Sequence, residues 1–223
     1  MSPSDLDPFW LSLRVAALAT TIIVLIGTPL AWLLARTNFW GKGLISGLLT
    51  LPLVLPPTVI GFALLIALGR QGWFGHWLES AFGISVVFHW SGAVLASAVM
   101  SAPMYVIPVR AAFAGVDPDF EDAARLLGRD EISVFRSITV PLSWRGLISG
   151  LVLTFARALG EFGATLMLAG NIQGRTRTAA LAIYDAVLDD KPLLAGVYCA
   201  LVASTSLLAV LIAQRAQSSG DPR

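Results

Sequence analysis

Five long apolar stretches constrain the fold of this chain most strongly. They cover about Phe9–Ala35, Leu44–Gly69, Ser91–Ala112, Leu147–Gly170 and Leu193–Ala213. Each can cross the roughly 30 Å hydrocarbon core of a bilayer, which takes about 20 helical residues. The mean hydropathy of +0.76 and the 13% share of charged residues are typical of an integral membrane protein. The sequence therefore predicts an all-α fold, a polytopic transmembrane helical bundle of about five spans in a single domain over residues 1–223.

The Lys and Arg residues between the spans predict an orientation. Cytoplasmic loops carry an excess of these residues. One side of the predicted bundle holds Arg36, Lys42, Arg110, Arg125, Arg129, Arg136, Arg145, Arg215 and Arg223, and the other holds Arg70, Arg175, Arg177 and Lys191. This asymmetry places the N-terminus outside, the C-terminus inside, and the loop 110–145 in the cytoplasm.

The polar segment between the third and fourth spans is predicted to form two short helices separated by a glycine. Asp117 is suited to cap the first helix, Pro118 suits its first position, and Gly128 suits its C-terminal stop. Four apolar residues of this helix recur at the i, i+3, i+4, i+7 spacing that forms one face. They are Phe120, Ala123, Ala124 and Leu127. Such a face indicates docking against a partner.

The spacing within residues 117–141 carries a family resemblance. Asp122-Ala-Ala, three residues, Gly128, nine residues, Ile138, one residue and Val140-Pro141 resemble the EAA loop of bacterial ABC-importer permeases. Asp122 and Val140 depart from the Glu and Leu of that pattern but keep charge sign and apolar character. The resemblance implies a cytoplasmic coupling loop that sits in a cleft of the ATPase subunit; the alternative is an ordinary surface helix pair. The implied ATPase-coupling residues are Phe120, Glu121, Asp122, Ala123, Ala124, Leu127 and Gly128.

The second span contains three prolines within six residues, Pro52, Pro56 and Pro57. Proline removes a backbone donor and clashes with the preceding turn, so the helix is expected to kink or partly unwind here. Irregular backbone at membrane depth is tolerated where protein buries it or water reaches it. Pro56 and Pro57 are therefore predicted to face the transport path or a dimer seam, unless the kink only shapes packing.

The fourth span contains two charged residues, Arg157 and Glu161, which are four apart and share a helix face. A charge at the bilayer centre costs roughly 2.5–3.5 kcal/mol on insertion scales, so this face is expected to point into protein or water. The pair either fixes helix packing or belongs to a gate. Gly160 and Gly163 flank the carboxylate and permit a close approach of another helix. With the two prolines, these four residues form the predicted pathway or gate.

A second resemblance covers the chain from Ser12 to about Tyr184. Residues 156–163, 170–172 and 175–178 are similar to permeases for tetrahedral oxyanions, and residues 51–57 and 171–178 are most similar to the molybdate members of that group. This implies import across the bacterial inner membrane by a homodimer, with a dimer of ATP-binding subunits on the cytoplasmic side and a periplasmic oxyanion-binding protein outside. It does not separate molybdate from tungstate or sulfate, because selectivity is expected mainly from the binding protein. The amphipathic segment 178–190 is expected to be an outer helix near the gate or a solvated connection.

The sequence lacks the motifs of several enzyme classes. No G-x-x-x-x-G-K-[ST] loop is present, so ATP hydrolysis is assigned to a partner subunit and this chain is a transport subunit. No G-x-S-x-G, H-E-x-x-H or cysteine cluster indicates a catalytic residue, a metal or a cofactor, and a net charge of +1 gives no case for nucleic acid. The rival functions are an ion-coupled secondary transporter or channel, and an intramembrane Ser-His hydrolase. The second is disfavoured because His76 and His89 both lie in an outer loop.

Overall fold

The computed structural model describes residues 6–83 and 85–218, and within these ranges the regular structure is helical. The helices are α1 Asp7–Arg36, α2 Lys42–Val54, α3 Pro57–Leu68, α4 Trp73–Phe82, α5 Trp90–Ala114, α6 Pro118–Leu126, α7 Glu131–Val134, α8 Val140–Leu159, α9 Gly163–Ala169, α10 Ala179–Leu188 and α11 Pro192–Ser218. A π-helical turn, Phe135–Thr139, joins α7 to α8. Four stretches are long and apolar enough to span a bilayer, and the pair α2–α3 makes a fifth if it is counted as one span. The predicted all-α bundle is confirmed; the predicted domain ends, 1–5 and 219–223, lie outside the described residues.

The second predicted span is sharply bent at its prolines. Helix α2 ends at Val54, α3 begins at Pro57, and the helix direction bends by 120° between them. Pro56 precedes α3 with extended backbone (φ −55°, ψ 138°), whereas Pro52 lies inside α2 without ending it. Two consecutive prolines supply no N–H for an intrahelical bond, which explains why the break falls at this pair. The predicted kink is confirmed.

The fourth span differs from the prediction of one helix over 147–170. The helix begins earlier, at Glu131, continues through the π-helical turn and ends at Leu159; a short α9 follows after residues 160–162. Gly160 ends α8, and the Glu161 carboxylate accepts the Ala164 N–H at 2.9 Å at the start of α9. Glycine favours helix ends, and a side-chain acceptor satisfies a backbone donor that a continuous helix would have paired. The apolar composition of residues 147–170 gave no sign of this break in the sequence.

Helices α1, α5 and α8 form the centre of the bundle, packed through small residues. A Cβ added at Gly27 would lie 3.0 Å from Tyr105 Cδ1, and one at Gly150 would lie 3.0 Å from Val109 Cγ2. Small residues let membrane helices approach closely, which increases van der Waals contact. The Tyr105 hydroxyl also hydrogen-bonds the Thr28 hydroxyl at 2.7 Å, tying α5 to α1. These contacts fix the positions of α1, α5 and α8 relative to one another.

Contacts assign the connecting segments to two ends of the bundle. At one end Arg36 Nη2 lies 2.7 Å from Glu121 Oε1, and Arg110 donates to Ser46 Oγ at 3.2 Å. At the other end, Ser12 Oγ accepts from the first N–H of α10 at 2.7 Å. The segments 36–46 and 110–145 therefore share an end, as the charge asymmetry requires, and α10 is a helix at the opposite end.

Candidate functional site

The segment just after the break between α2 and α3 packs against the segment just after the break between α8 and α9. A Cβ added at Gly163 would lie 2.9 Å from Pro57 Cβ, and one added at Gly61 would lie 2.8 Å from Ala164 Cα. Helices α3 and α9 therefore pack almost backbone to backbone just after the break in each segment. The structure thus brings together Pro57 and Gly163 of the predicted pathway residues, which are more than 100 positions apart in the sequence.

Glu161 and Arg157 form the predicted pair beside this contact. Glu161 is 2% exposed, and its Oε2 lies 2.6 Å from Arg157 Nη1 while its Oε1 accepts the Ala164 N–H. One carboxylate oxygen is therefore hydrogen-bonded to the backbone, and the other is held only by the ion pair with Arg157. The Arg157 side chain remains partly exposed. Because the carboxylate is occupied and would repel an anion, the guanidinium is the group of this pair that an incoming anion could contact.

The two glycines of the pathway set have different surroundings. Gly163 lies against the Pro57 ring, so a larger residue there would force α3 and α9 apart. A Cβ at Gly160 would come no nearer than 4.0 Å to the Ala156 carbonyl oxygen. The close approach expected from both glycines is therefore made by Gly163, whereas Gly160 serves as the end of α8.

A polar network orders the loop that follows α9. The Asn171 amide donates to both carboxylate oxygens of Asp185 at 2.8 and 2.9 Å, and Arg177 pairs with the same carboxylate at 2.9 Å. Next to it lies a cavity of about 630 Å³, lined in part by Arg14, Arg175 and Arg177. Sequence reasoning identified the segment 171–178 by resemblance but missed Asp185, which joins α10 to this loop, and Arg14, which α1 adds to the cavity.

The start and stop signals of α6 are confirmed. Asp117 Oδ1 accepts the Asp119 N–H at 3.1 Å, Pro118 is the first helical residue, and Gly128 has φ +81° just beyond the helix end. Such a positive φ favours glycine, because a Cβ is strained in the left-handed region. The segment is therefore built as a separate short helix at one end of the bundle.

The apolar face predicted for α6 is wrong in one respect. Phe120, Ala123 and Leu127 are exposed, whereas Ala124 is turned into the protein with 9% exposure. Ala124 shares the inner side of α6 with Glu121, which is three positions earlier and 3% exposed. Leu126, absent from the predicted set, adds a large exposed apolar side chain. The outward surface of α6 is therefore Phe120, Ala123, Leu126 and Leu127, with Asp122 beside it.

Arg125 clamps α6 to the start of the next helix. Its Nε donates to Glu131 Oε1 at 2.8 Å and its Nη1 donates to Asp122 Oδ1 at 2.6 Å. The hydrogen bonds to Glu131 and then to Asp122 raise the pKa of the Arg125 guanidinium above its ordinary value. The two hydrogen bonds to Glu131 link α6 to α7. Sequence reasoning missed this residue, although its positions i+3 from Asp122 and i+4 from Glu121 could have indicated it.

Comparisons with known proteins agree with the architecture. The family model described as "Binding-protein-dependent transport system inner membrane component" matches residues 27–219. The "Molybdenum transport system permease protein ModB" of Escherichia coli K12 is 50% identical over 182 residues, which cover 80% of each chain. The protein of the same name from Mycobacterium tuberculosis is 40% identical over 222 residues, covering 100% of this chain and 84% of that one.

Solved structures share the fold at low sequence identity. A "bacterial ABC transporter involved in the import of the acidic polysaccharide alginate" has a TM-score of 0.78 at 16% identity and covers 100% of this chain and 82% of that one. The "MetNI methionine ABC transporter" has a TM-score of 0.73 at 16% identity and covers 100% of both chains. The helical arrangement is thus that of ABC-transporter membrane subunits.

Proposed function

Because this chain belongs to the family of binding-protein-dependent transport system inner membrane components, we propose that it is the permease subunit of an ABC importer for molybdate. Its relatives named as molybdenum transport permeases are up to 50% identical over most of its length. That likeness is the observation that carries the substrate assignment. Tungstate and sulfate have the same charge and shape, so they are the substrates against which molybdate must be compared.

The outward surface of α6 is proposed to dock in a cleft of the ATPase subunit. Phe120, Leu126 and Leu127 present large apolar side chains to solvent, and Asp122 adds an exposed charge. An exposed apolar patch rimmed by polar residues is typical of an interaction site. The shared end of the segments 36–46 and 110–145, with its excess of Lys and Arg, is accordingly proposed to lie in the cytoplasm of a bacterial cell, with the opposite end facing a periplasmic binding protein.

A homodimer is proposed to enclose the pathway. None of the residues of α2 is buried, and α3 exposes Val59, Phe62 and Ile66. These helices flank the Pro56–Pro57 break, so a second copy placed against them would surround the break with protein rather than with lipid alone. Arg157, beside the break, would then give an anion a weak, transient contact, which suits a pathway that must release its cargo.

The substrate assignment is tested by uptake into vesicles that hold the permease with its ATPase and binding protein. We expect molybdate to accumulate with ATP and not without it, and sulfate to compete poorly. Accumulation of sulfate in preference to molybdate would overturn the substrate, and uptake that persists without the ATPase would favour a secondary transporter.

The docking surface is tested by two variants matched in exposure. Leu127 and Leu193 are each 85% exposed and lie at opposite ends of the bundle. Leu127→Arg is expected to abolish co-purification of the ATPase subunit, whereas Leu193→Arg is expected to retain it. Equal capture by both variants would contradict the proposed role of α6.

A further inference from the structure

Glu121 shares the inner side of α6 with Ala124, but its side chain alone among the proposed coupling residues hydrogen-bonds residues of two membrane-spanning segments. It is 3% exposed, and its Oε1 accepts from Arg36 Nη2 at 2.7 Å and from Thr139 Oγ1 at 2.6 Å. Arg36 is the last residue of α1, and Thr139 ends the π-helical turn that leads into α8. One carboxylate oxygen therefore connects α6 to both of these helices.

The other partners extend the connection. Arg36 also donates to the Val116 carbonyl oxygen at 3.0 Å, just past the end of α5, and its side chain is largely buried. The ring of Phe135, in the π-helical turn, has its centroid 5.9 Å from that of Trp32 in α1 and 5.8 Å from that of Phe113 in α5. Glu121 and its partners thus connect α6 to α1, to the residues after α5 and to the start of α8.

The chemistry of these contacts favours a rigid connection. Charge-assisted hydrogen bonds are shorter and about twice as strong as neutral ones, and burial shields them from competing water. Apolar contacts, in contrast, are non-directional, so helices joined only by such contacts can slide past each other. The hydrogen bond from Glu121 reaches α8 through Thr139, which lies in the π-helical turn; such turns occur frequently at functional sites.

We propose that Glu121 is a positioning residue that transmits movement of α6 to α1 and α8. Its burial rules out the direct ATPase contact implied by family resemblance, which falls instead to the exposed surface of α6. This inference rests on the proposed function, because it requires that an ATPase moves α6.

The test compares Glu121→Gln with Asp119→Asn, which removes an exposed charge from the same helix. Each is assembled with the ATPase and binding protein, and ATP hydrolysis and molybdate uptake are measured in the same vesicles. We expect Glu121→Gln to capture the ATPase and hydrolyse ATP while the molybdate taken up per ATP falls about tenfold, the scale of replacing a charged hydrogen bond by a neutral one. Asp119→Asn should keep the wild-type ratio.

A structural role alone would lower the yield of complex, and with it hydrolysis and uptake in proportion, leaving the ratio unchanged; that result would overturn the inference. Loss of ATPase capture in Glu121→Gln would also overturn it, since Glu121 would then belong to the docking surface. If Glu121→Gln does not fold, so that no permease can be purified to test, Thr139→Val decides, because it removes only the link to α8 and must lower the same ratio. Failure of the wild-type complex to capture an ATPase would refute the proposed function itself.

Discussion

Replacing Gly61 by alanine is expected to destabilise the contact between α3 and α9. The added Cβ would lie 2.7 Å from Met167 Cβ, 2.8 Å from Ala164 Cα and 3.0 Å from the Ala164 carbonyl oxygen. Two of these neighbours are backbone atoms, which cannot move aside as the end of a flexible side chain can. The helices must separate by several tenths of an ångström, and the packing around both helix breaks must change with them.

The expected cost follows from measured overpacking of protein cores, about 1–3 kcal/mol. For a chain of this length that corresponds to a thermal midpoint lower by roughly 2–12 °C. The midpoint is measured on the purified protein in detergent by the temperature dependence of tryptophan fluorescence. Gly47→Ala is the matched control, since a Cβ at that helical position meets nothing within 4 Å and alanine is the better helix former.

A Gly61→Ala variant that melts with the wild type, while Gly47→Ala does the same, would refute the backbone-to-backbone packing of α3 on α9. A lower midpoint in both variants would show that alanine is tolerated poorly throughout the segment, and the steric argument would fail for a different reason.

Three further substitutions probe single hydrogen bonds. Ser12→Ala leaves the first backbone N–H of α10 without its buried acceptor and should cost about 1–3 kcal/mol, measured as a lower thermal midpoint. Asp117→Ala removes the cap of α6 and should cost about 1 kcal/mol, detected as roughly fivefold faster amide exchange within α6 and unchanged exchange in α5. Tyr105→Phe should cost only about 0.5–1.5 kcal/mol, because the Thr28 hydroxyl keeps its 2.6 Å bond to the Val24 carbonyl; a larger fall in midpoint would contradict this.

Local signals in the sequence were sufficient for several features. The apolar runs located the spans except for the limits of the fourth, Asp117 and Gly128 marked the limits of α6, and the consecutive prolines marked the bend between α2 and α3. The i, i+4 spacing paired Arg157 with Glu161. Each of these depends on residues within about one helical turn or on the composition of about 20 residues, which a sequence displays directly.

The burial of Glu121, which was missed, depends on a distant residue. The inward side of α6 could not be assigned from its own sequence, because a charged residue is normally exposed. Glu121 is buried because Arg36, 85 positions earlier, arrives at the end of α1 with a compensating charge. The end of α8 at Gly160 was missed for a different, local reason: the apolar run predicted as one span continues past the break, and the Glu161 carboxylate that accepts the Ala164 N–H was assigned only to the pair with Arg157.

Helix α8 connects the two sites that the structure defines. It begins beside Thr139, which binds Glu121, and ends just after Arg157, which binds Glu161. Twenty helical residues rise about 30 Å, close to the thickness of the hydrocarbon core, and the middle of α8 is held against α5 at Gly150. A helix packed this closely resists bending, so a displacement imposed at Thr139 is expected to reach the α3–α9 contact as a movement of the whole helix. Substitutions at Thr139 and at Gly61 should therefore be non-additive in uptake per ATP although they lie at opposite ends of the bundle, and additivity would mean that the two sites act independently.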